Sequence, residues 1–253
     1  MQLRFLGTGT SMGVPVIGCD CAVCSSADPR NRRMRTSALL RTSDHTILID
    51  AGPDFRLQAL HAGLRHIDAV LLTHAHFDHI AGIDDLRPLT EHGDCLPIFG
   101  SPHTIHEVRS RFDYAFTETS AGSTCPRIEL HSVESSFAIG QTSITPLAII
   151  HGTWEITAYR IGGLGYVTDA SHIPPDSYEG LRNLDVLVLN ALRYEAHPTH
   201  FTLAEALEVI RDLQPRRAFL VHMTHAFDHA SASAQLPEGV AFAYDGLEIE
   251  IPG

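Results

Sequence analysis

The sequence predicts an α/β fold with two sheets packed face to face and helices outside, and three observations lead there. Apolar runs that read as strands come first with helices interleaved, and a similar half follows them. Several metal-ligand residue types sit at the carboxyl end of such runs, where α/β folds place their sites. At 253 residues the chain is ample for one domain with a sizeable core, expected to span residues 1–253.

Taken in order, residues 2–6 alternate polar and apolar and run into Gly7-Thr8-Gly9-Thr10-Ser11-Met12-Gly13, a first strand and a Gly-rich loop. The glycine spacing does not match a phosphate-binding Walker loop and no lysine follows, so a tight turn close to a metal site fits better. Residues 36–42 and 45–50 read as paired strands around Thr42-Ser43-Asp44-His45. Pro53 to His61 reads as a helix stopped by Gly63. The run Ala69-Val70-Leu71-Leu72 is a short buried strand, and Ile80 to His92 a helix that Pro88 should break or kink. Residues 96–100 form a strand, 103–113 a helix and 114–127 a less ordered stretch. Strands follow at 127–133, 136–139, 142–150, 156–161 and 164–168, the last two joined by a Gly162-Gly163 hairpin. Residues 176–182 are helical and 184–189 a buried strand. Thr202 to Glu205 is a capping box opening a helix to about Leu213, and 218–221 is again a strand. The last two strands, 240–244 and 247–251, turn at Asp245-Gly246.

The chemistry gathers at Thr73-His74-Ala75-His76-Phe77-Asp78-His79, where three imidazoles and a carboxylate fall just after the 69–72 strand. Imidazole with carboxylate suits zinc, manganese or iron, and open positions beside them make a hydrolytic site. The same pattern recurs: His151 follows Leu147 to Ile150, Asp169 follows Leu164 to Thr168, and His222 follows Ala218 to Val221. Together these supply five imidazoles and two carboxylates, enough for two divalent cations. Asp169 is the candidate bridge, because a carboxylate offers two oxygens and one negative charge. Which ligand holds which metal is not fixed by sequence order.

Composition narrows the partners. With 18 Lys+Arg against 30 Asp+Glu the formal net charge is −12, which argues against wrapping long nucleic acid or docking on an anionic membrane. The 17 histidines point to metal chemistry. Residues 1–7 lack the charged and apolar regions of a signal peptide, and no apolar stretch approaches a bilayer span, so a cytoplasmic protein is expected. Cys19-Asp20-Cys21-Ala22-Val23-Cys24 favours metal ligation over disulfides in that compartment, whereas Cys95 and Cys125 read as packed thiols. The basic run Arg30, Arg32, Arg33, Arg35 reads as a solvated face or local ion pairs more readily than as a phosphate clamp.

His74-x-His76-x-Asp78-His79 with His151, Asp169 and His222, together with the start Phe5 to Thr10 and Leu48 to Gly52, resembles the metallo-β-lactamase superfamily over nearly the whole chain. The resemblance implies a four-layer αββα sandwich. It also implies that His74, His76 and His151 hold one metal, that Asp78, His79 and His222 hold the other, and that Asp169 lies between them. Gly13-Val14-Pro15 before the cysteines, and His222-Met223-Thr224-His225 with Phe227-Asp228, resemble the PhnP-type phosphodiesterases of the carbon–phosphorus lyase pathway. That likeness implies a structural zinc on Cys19, Cys21, Cys24 and His225, and three thiolates with one imidazole do make a closed tetrahedral site. It further implies that His200, two residues before the Thr202 cap, is the general acid for the leaving oxygen. His200 and Asp78 are thus the expected catalytic residues. Asn190 stands where the resembled enzymes carry an acidic residue.

The function expected is metal-dependent hydrolysis of small cyclic or linear phosphodiesters, such as a ribose cyclic phosphate, by hydroxide at two zinc or manganese ions. A small phosphodiester is the expected partner, with no long nucleic acid, no membrane and a homodimer as the assembly. Alternatives on the same scaffold are a thioesterase, a lactonase, a tRNA-processing nuclease or a non-catalytic protein resembling PqqB.

Overall fold

A computed structural model describes residues 1–90, 95–117 and 124–252. Its first sheet takes β1 (Gln2–Gly7), β2 (Ser37–Arg41), β3 (Thr46–Ile49), β4 (Ala69–Leu71), β5 (Leu96–Gly100), β6 (Ile128–Ser132) and β14 (Glu248–Glu250), in the order β14-β1-β2-β3-β4-β5-β6. The second takes β7 (Phe137–Ile139), β8 (Thr142–His151), β9 (Trp154–Ile161), β10 (Leu164–Val167), β11 (Val186–Asn190), β12 (Arg217–Val221) and β13 (Val240–Phe242), in the order β13-β12-β11-β10-β9-β8-β7. Strands β3 to β6 are parallel, as are β10 to β13. Parallel neighbours need crossovers, which helices on the outer faces provide.

The period-two alternation of each strand sorts its side chains between layers. Ile47 and Ile49 of β3 face inward and meet Tyr159, Tyr166, Val188 and Val221 in the core between the sheets. Leu48 faces outward with Val70 and packs under Phe55, Ile83 and Val108. Likewise Val186 and Val188 point in, while Leu187 and Leu189 meet Ala206, Ile210 and Leu213 on the other outer face. Both faces are covered, so these strands read as continuous apolar runs. The layers are the expected αββα of the metallo-β-lactamase fold.

The helices that cover the first sheet are α1 (Phe55–Ala62), α2 (Phe77–Ile80), α3 (Arg87–Thr90) and α4 (Pro102–Arg111). Those on the second are α5 (Pro175–Gly180), α6 (Leu203–Leu213) and α7 (His229–Ser233). The Thr202–Glu205 capping box is formed reciprocally, and Gly63 closes α1 at φ 62°.

Two expectations need correction. The helix expected from Ile80 to His92 is instead α2, a 3-10 turn at Ile83–Leu86 and α3, while residues 91–94 lie outside the described residues. Gly82 lies at the break and is required by packing: its backbone lies against Gly52, and an added Cβ would sit 2.1 Å from the Gly52 carbonyl. Pro88 then occupies the second position of α3, where a missing N–H costs nothing. The second correction concerns 240–244 and 247–251, which form no hairpin. β13 pairs with β12 and β14 with β1, so Asp245-Gly246 carries the chain from one sheet to the other. The half-buried Asp245 carboxylate holds this crossing by accepting hydrogen bonds from Met34 N (2.7 Å) and Thr8 Oγ1 (2.8 Å). Of the stretch 114–127, Asp113–Phe116 forms a 3-10 turn and 118–123 lies outside the described residues.

Candidate metal centres

Parallel strands that all end on one rim bring their following residues together. His74 follows β4, Asp169 follows β10 and His222 follows β12, while His151 is the last residue of β8. Asp169 and His222 adopt the left-handed region, at φ 60° and 57°, and so does Asp50 after β3, at 61°. Left-handed non-glycine residues cluster where surrounding structure imposes them. Here each turns its side chain back over the strand ends.

Two donor groups result, one of His74, His76 and His151, the other of Asp78, His79, Asp169 and His222. In each group the donor atoms lie within 4.8 Å of one another. His79 Nε2 is 3.3 Å from Asp78 Oδ2 and 3.4 Å from Asp169 Oδ2, while His222 Nε2 is 3.1 Å from Asp169 Oδ1. Asp169 thus touches two donors of its own group, and a third grouping joins it to His151 of the other group and to His200.

Hydrogen bonds behind the imidazoles fix which nitrogen faces inward. His79 Nδ1 donates to Asp50 Oδ2 (2.7 Å) and His151 Nδ1 to the Thr199 carbonyl (2.8 Å). Thr73 Oγ1 gives its proton to Asp50 Oδ2 and so accepts from His74 Nδ1 (3.0 Å). Thr36 Oγ1 gives its proton to the Gly9 carbonyl and so accepts from His222 Nδ1 (3.3 Å). All four rings therefore carry Nδ1–H and turn Nε2 to the centre. His74 Nε2 meets His76 Nδ1 at 3.0 Å, and His79 Nε2 is buried without a hydrogen-bond partner. Converging imidazole nitrogens beside two carboxylates fit divalent cations, which the fold itself implies. His74, His76 and His151 would hold one; Asp78, His79 and His222 would hold the other; Asp169 would lie between.

Protonation agrees with that set. Burial holds His74 well below the usual imidazole range, with His79 adding to it, and burial brings His222 down to about 4. Burial would raise the acids, yet the His222 and His79 charges hold Asp169 well below the usual carboxylate range, and His79 does so for Asp78. His74 and His222 are thus neutral and the carboxylates ionised, as a cation needs. Asp78, Asp169 and Asp50 instead hold His79 well above the imidazole range against its burial, so a cation there would displace the His79 proton.

His200 stands beside these groups, its Nε2 3.0 Å from Asp169 Oδ1. Its Nδ1 faces Thr199 Oγ1 at 2.8 Å and His197 Nδ1 at 3.3 Å. Arg193 braces this loop by donating to the Glu195 and Ala196 carbonyls. Asn190, fully buried, clamps the backbone of Ala170 by accepting from its N–H (2.7 Å) and donating to its carbonyl (3.0 Å). The amide thereby fixes the turn that presents Asp169, a role an acid could fill only in part because it lacks the N–H.

The sulfur cluster lies apart. Sγ atoms of Cys19, Cys21 and Cys24 lie 3.3, 3.5 and 3.3 Å from His225 Nδ1, spacings that suit four ligands around one zinc. The Cys24 backbone N–H brings the Cys21 thiol down to about 6, and burial pushes Cys24 up to about 11. Buried Arg33 ties this region to the larger centre by donating to the Thr224 and Phe227 carbonyls. Of the other basic residues, Arg30 pairs with Asp28 and Arg35 with Asp54, while Arg32 is exposed.

Several supporting residues carried no signal as support in the sequence: Thr36, Thr73, Asn190 and Arg111, whose guanidinium donates to the Ala75 carbonyl at 2.6 Å. Asp50 was visible only as part of the Leu48 to Gly52 likeness. A hydroxyl or amide in a loop looks the same whether it supports a ligand or faces water.

Residues 45–223 match the family described as Beta-lactamase superfamily domain. The chain belongs to the metallo-β-lactamase superfamily, and its donor groups could hold the metal ions that this fold implies. Within it the resemblance is to the PhnP type: a solved diphosphatase from the PhnP family is 42% identical, with TM-score 0.93, over 98% of this chain and 96% of that one. A protein of Porphyromonas gingivalis named octanoyltransferase is 39% identical over 98% of this chain but 51% of its own length. The chain therefore spans about half of that curated relative. Zinc-bound PqqB from Methylobacterium extorquens shares the fold at 20% identity and TM-score 0.80, covering 99% of this chain and all of that one. Among the described residues no helix is long and apolar enough to cross a membrane.

Proposed function

We propose that the chain hydrolyses small phosphodiesters, including diphosphates that link two groups. The observation that carries this reading is His200, an imidazole beside both donor groups with Nε2 directed at the shared Asp169 carboxylate. Two bound cations would acidify a shared water and hold the oxygens of the substrate. Water adds to phosphorus, one phosphorus–oxygen bond breaks, and the departing oxygen takes the proton of His200 Nε2. Thr199 Oγ1 and His197 hold the other edge of that ring in place. Asp78 is the more exposed of the two carboxylates, at 12% against 3%, which suits it to orient the attacking water. The likeness to a PhnP-family diphosphatase supports phosphorus as the target.

A second reading is acyl hydrolysis, favoured by the relative named octanoyltransferase. It is the weaker one, because half of that protein lies outside the match. Turnover of bis(p-nitrophenyl) phosphate beside an octanoyl thioester, a lactone and a β-lactam decides between them. The phosphate ester is expected to be turned over and the acyl compounds poorly. No phosphodiester turnover with zinc or manganese, and rapid thioester cleavage, would reverse the assignment.

A further inference from the structure

A cleft of about 730 Å³ opens beside the larger centre, and nothing in the proposed chemistry uses it. One wall is the β8–β9 hairpin, which also carries His151, paired across the turn with Trp154. The indole is 41% exposed. Its ring centroid lies 4.8 Å from that of His76, at 35°, and 5.8 Å from that of His103, at 89°. The indole thus rests on a candidate metal ligand and keeps part of its aromatic surface open beside the cleft. Leu147 and Ile156 supply apolar lining, His103 marks the far wall at the start of α4, and Glu134 and Glu155 add carboxylates.

The charges decide what can enter. The lining contains two glutamates and neither lysine nor arginine, so a phosphate would be repelled there. A neutral, planar group with amino donors would be accepted: its face stacks on the indole and its edge reaches a carboxylate. We propose that this cleft, lined by Trp154, His103, Glu134 and Glu155, binds the nucleobase of a substrate whose phosphate lies at the adjacent metal centre. The proposal rests on the phosphodiesterase reading for its substrate, though base binding itself is measurable without turnover. Steric continuity supports it, because Trp154 touches His76 and a base on the indole stays within one nucleotide of the donor groups.

Trp154 is the chain's single tryptophan, so its fluorescence reports on this cleft alone. Titration of the metal-loaded protein with AMP is expected to quench that emission saturably, while ribose 5-phosphate and inorganic phosphate leave it nearly unchanged. Ala148→Leu, at an exposed position of the lining, keeps the fluorophore and is expected to weaken the AMP effect about tenfold. In turnover, adenosine 5′-p-nitrophenyl phosphate is expected to be preferred over methyl p-nitrophenyl phosphate. Trp154→Ala should shrink that kcat/KM ratio roughly tenfold, mainly through KM. Equal quenching by AMP and ribose 5-phosphate, or quenching by octanoate and not by AMP, would overturn the base site. A ratio unmoved by either variant would overturn it too. Quenching by AMP with no turnover of either ester would leave the base site standing and remove the phosphodiesterase reading instead.

Discussion

The larger centre and the sulfur cluster are both candidate metal sites, and they are built in opposite ways. Donors of the larger one come from His74–His79, His151, Asp169 and His222, segments that meet only because parallel strands end on a common rim. Three of the four donors of the other lie within Cys19–Cys24 in a loop without strands, and His225 alone arrives from a distance. Four of the five large-centre imidazoles are backed by a hydroxyl, carboxylate or carbonyl, and a carboxylate is shared between groups. The four sulfur-cluster donors include no carboxylate and would fill every position of a tetrahedral zinc, so the cluster can hold an ion but leaves no position on it for a substrate. The proposed function assigns reactivity to the centre that costs backbone strain and buried charge, and leaves the local one to fasten the loop.

Disabling the first centre should give the largest effect. Asp169→Asn tolerates the left-handed backbone but removes a shared anion, and is expected to lower kcat/KM by more than about 10³-fold with fewer metals by elemental analysis. His200→Ala should keep the metals, about three per chain, and lose roughly 10²–10⁴-fold in diester turnover. A parallel loss of metal would instead make His200 a ligand. Asp50→Asn touches no donor position directly yet removes the acceptor of His79 and Thr73, so metal affinity should fall about 10–100-fold, read by chelator competition.

The other centre is expected to answer differently. Cys21→Ser should remove one metal and lower the thermal midpoint, with kcat changed less than about tenfold. Two metals in the parent, unchanged in this variant, would dissolve the contrast altogether. The smallest effect concerns the sheet crossing, which neither centre uses. Burial pushes Asp245 up to about 7, although Met34 and Thr8 donate to it. In the unfolded chain it ionises near 3.8, so between about pH 4 and 7 the folded state binds the extra proton. Stability contributed by this group is therefore present at low pH and lost as pH rises to 7, by up to about 1.4 kcal/mol per pH unit. Denaturant midpoints across that range should show a shallower fall in Asp245→Asn.

Much of the architecture was legible because strands covered on both faces are apolar without interruption, as in Val186 to Leu189, and end at polar residues. The four-residue helices α2 and α3 were not, since one turn carries too little periodicity to locate a boundary. The supposed hairpin at Asp245-Gly246 failed for a related reason. A turn motif states that the chain reverses, whereas the partner of each strand depends on edges supplied by β1 and β12, far away in sequence.

By itself the sequence determined the chemistry: which side chains can bind a cation, how they are spaced after their strands, and that sulfur and imidazole donors form separate groups. Only the tertiary structure decided the working details. It selected Nε2 on four imidazoles through Thr36, Thr73, Asp50 and the Thr199 carbonyl, set His200 against Asp169, and opened the cleft beside Trp154. Donor identity is a property of a residue, whereas a tautomer, an approach distance or a cavity belongs to atoms that long-range packing alone brings into contact.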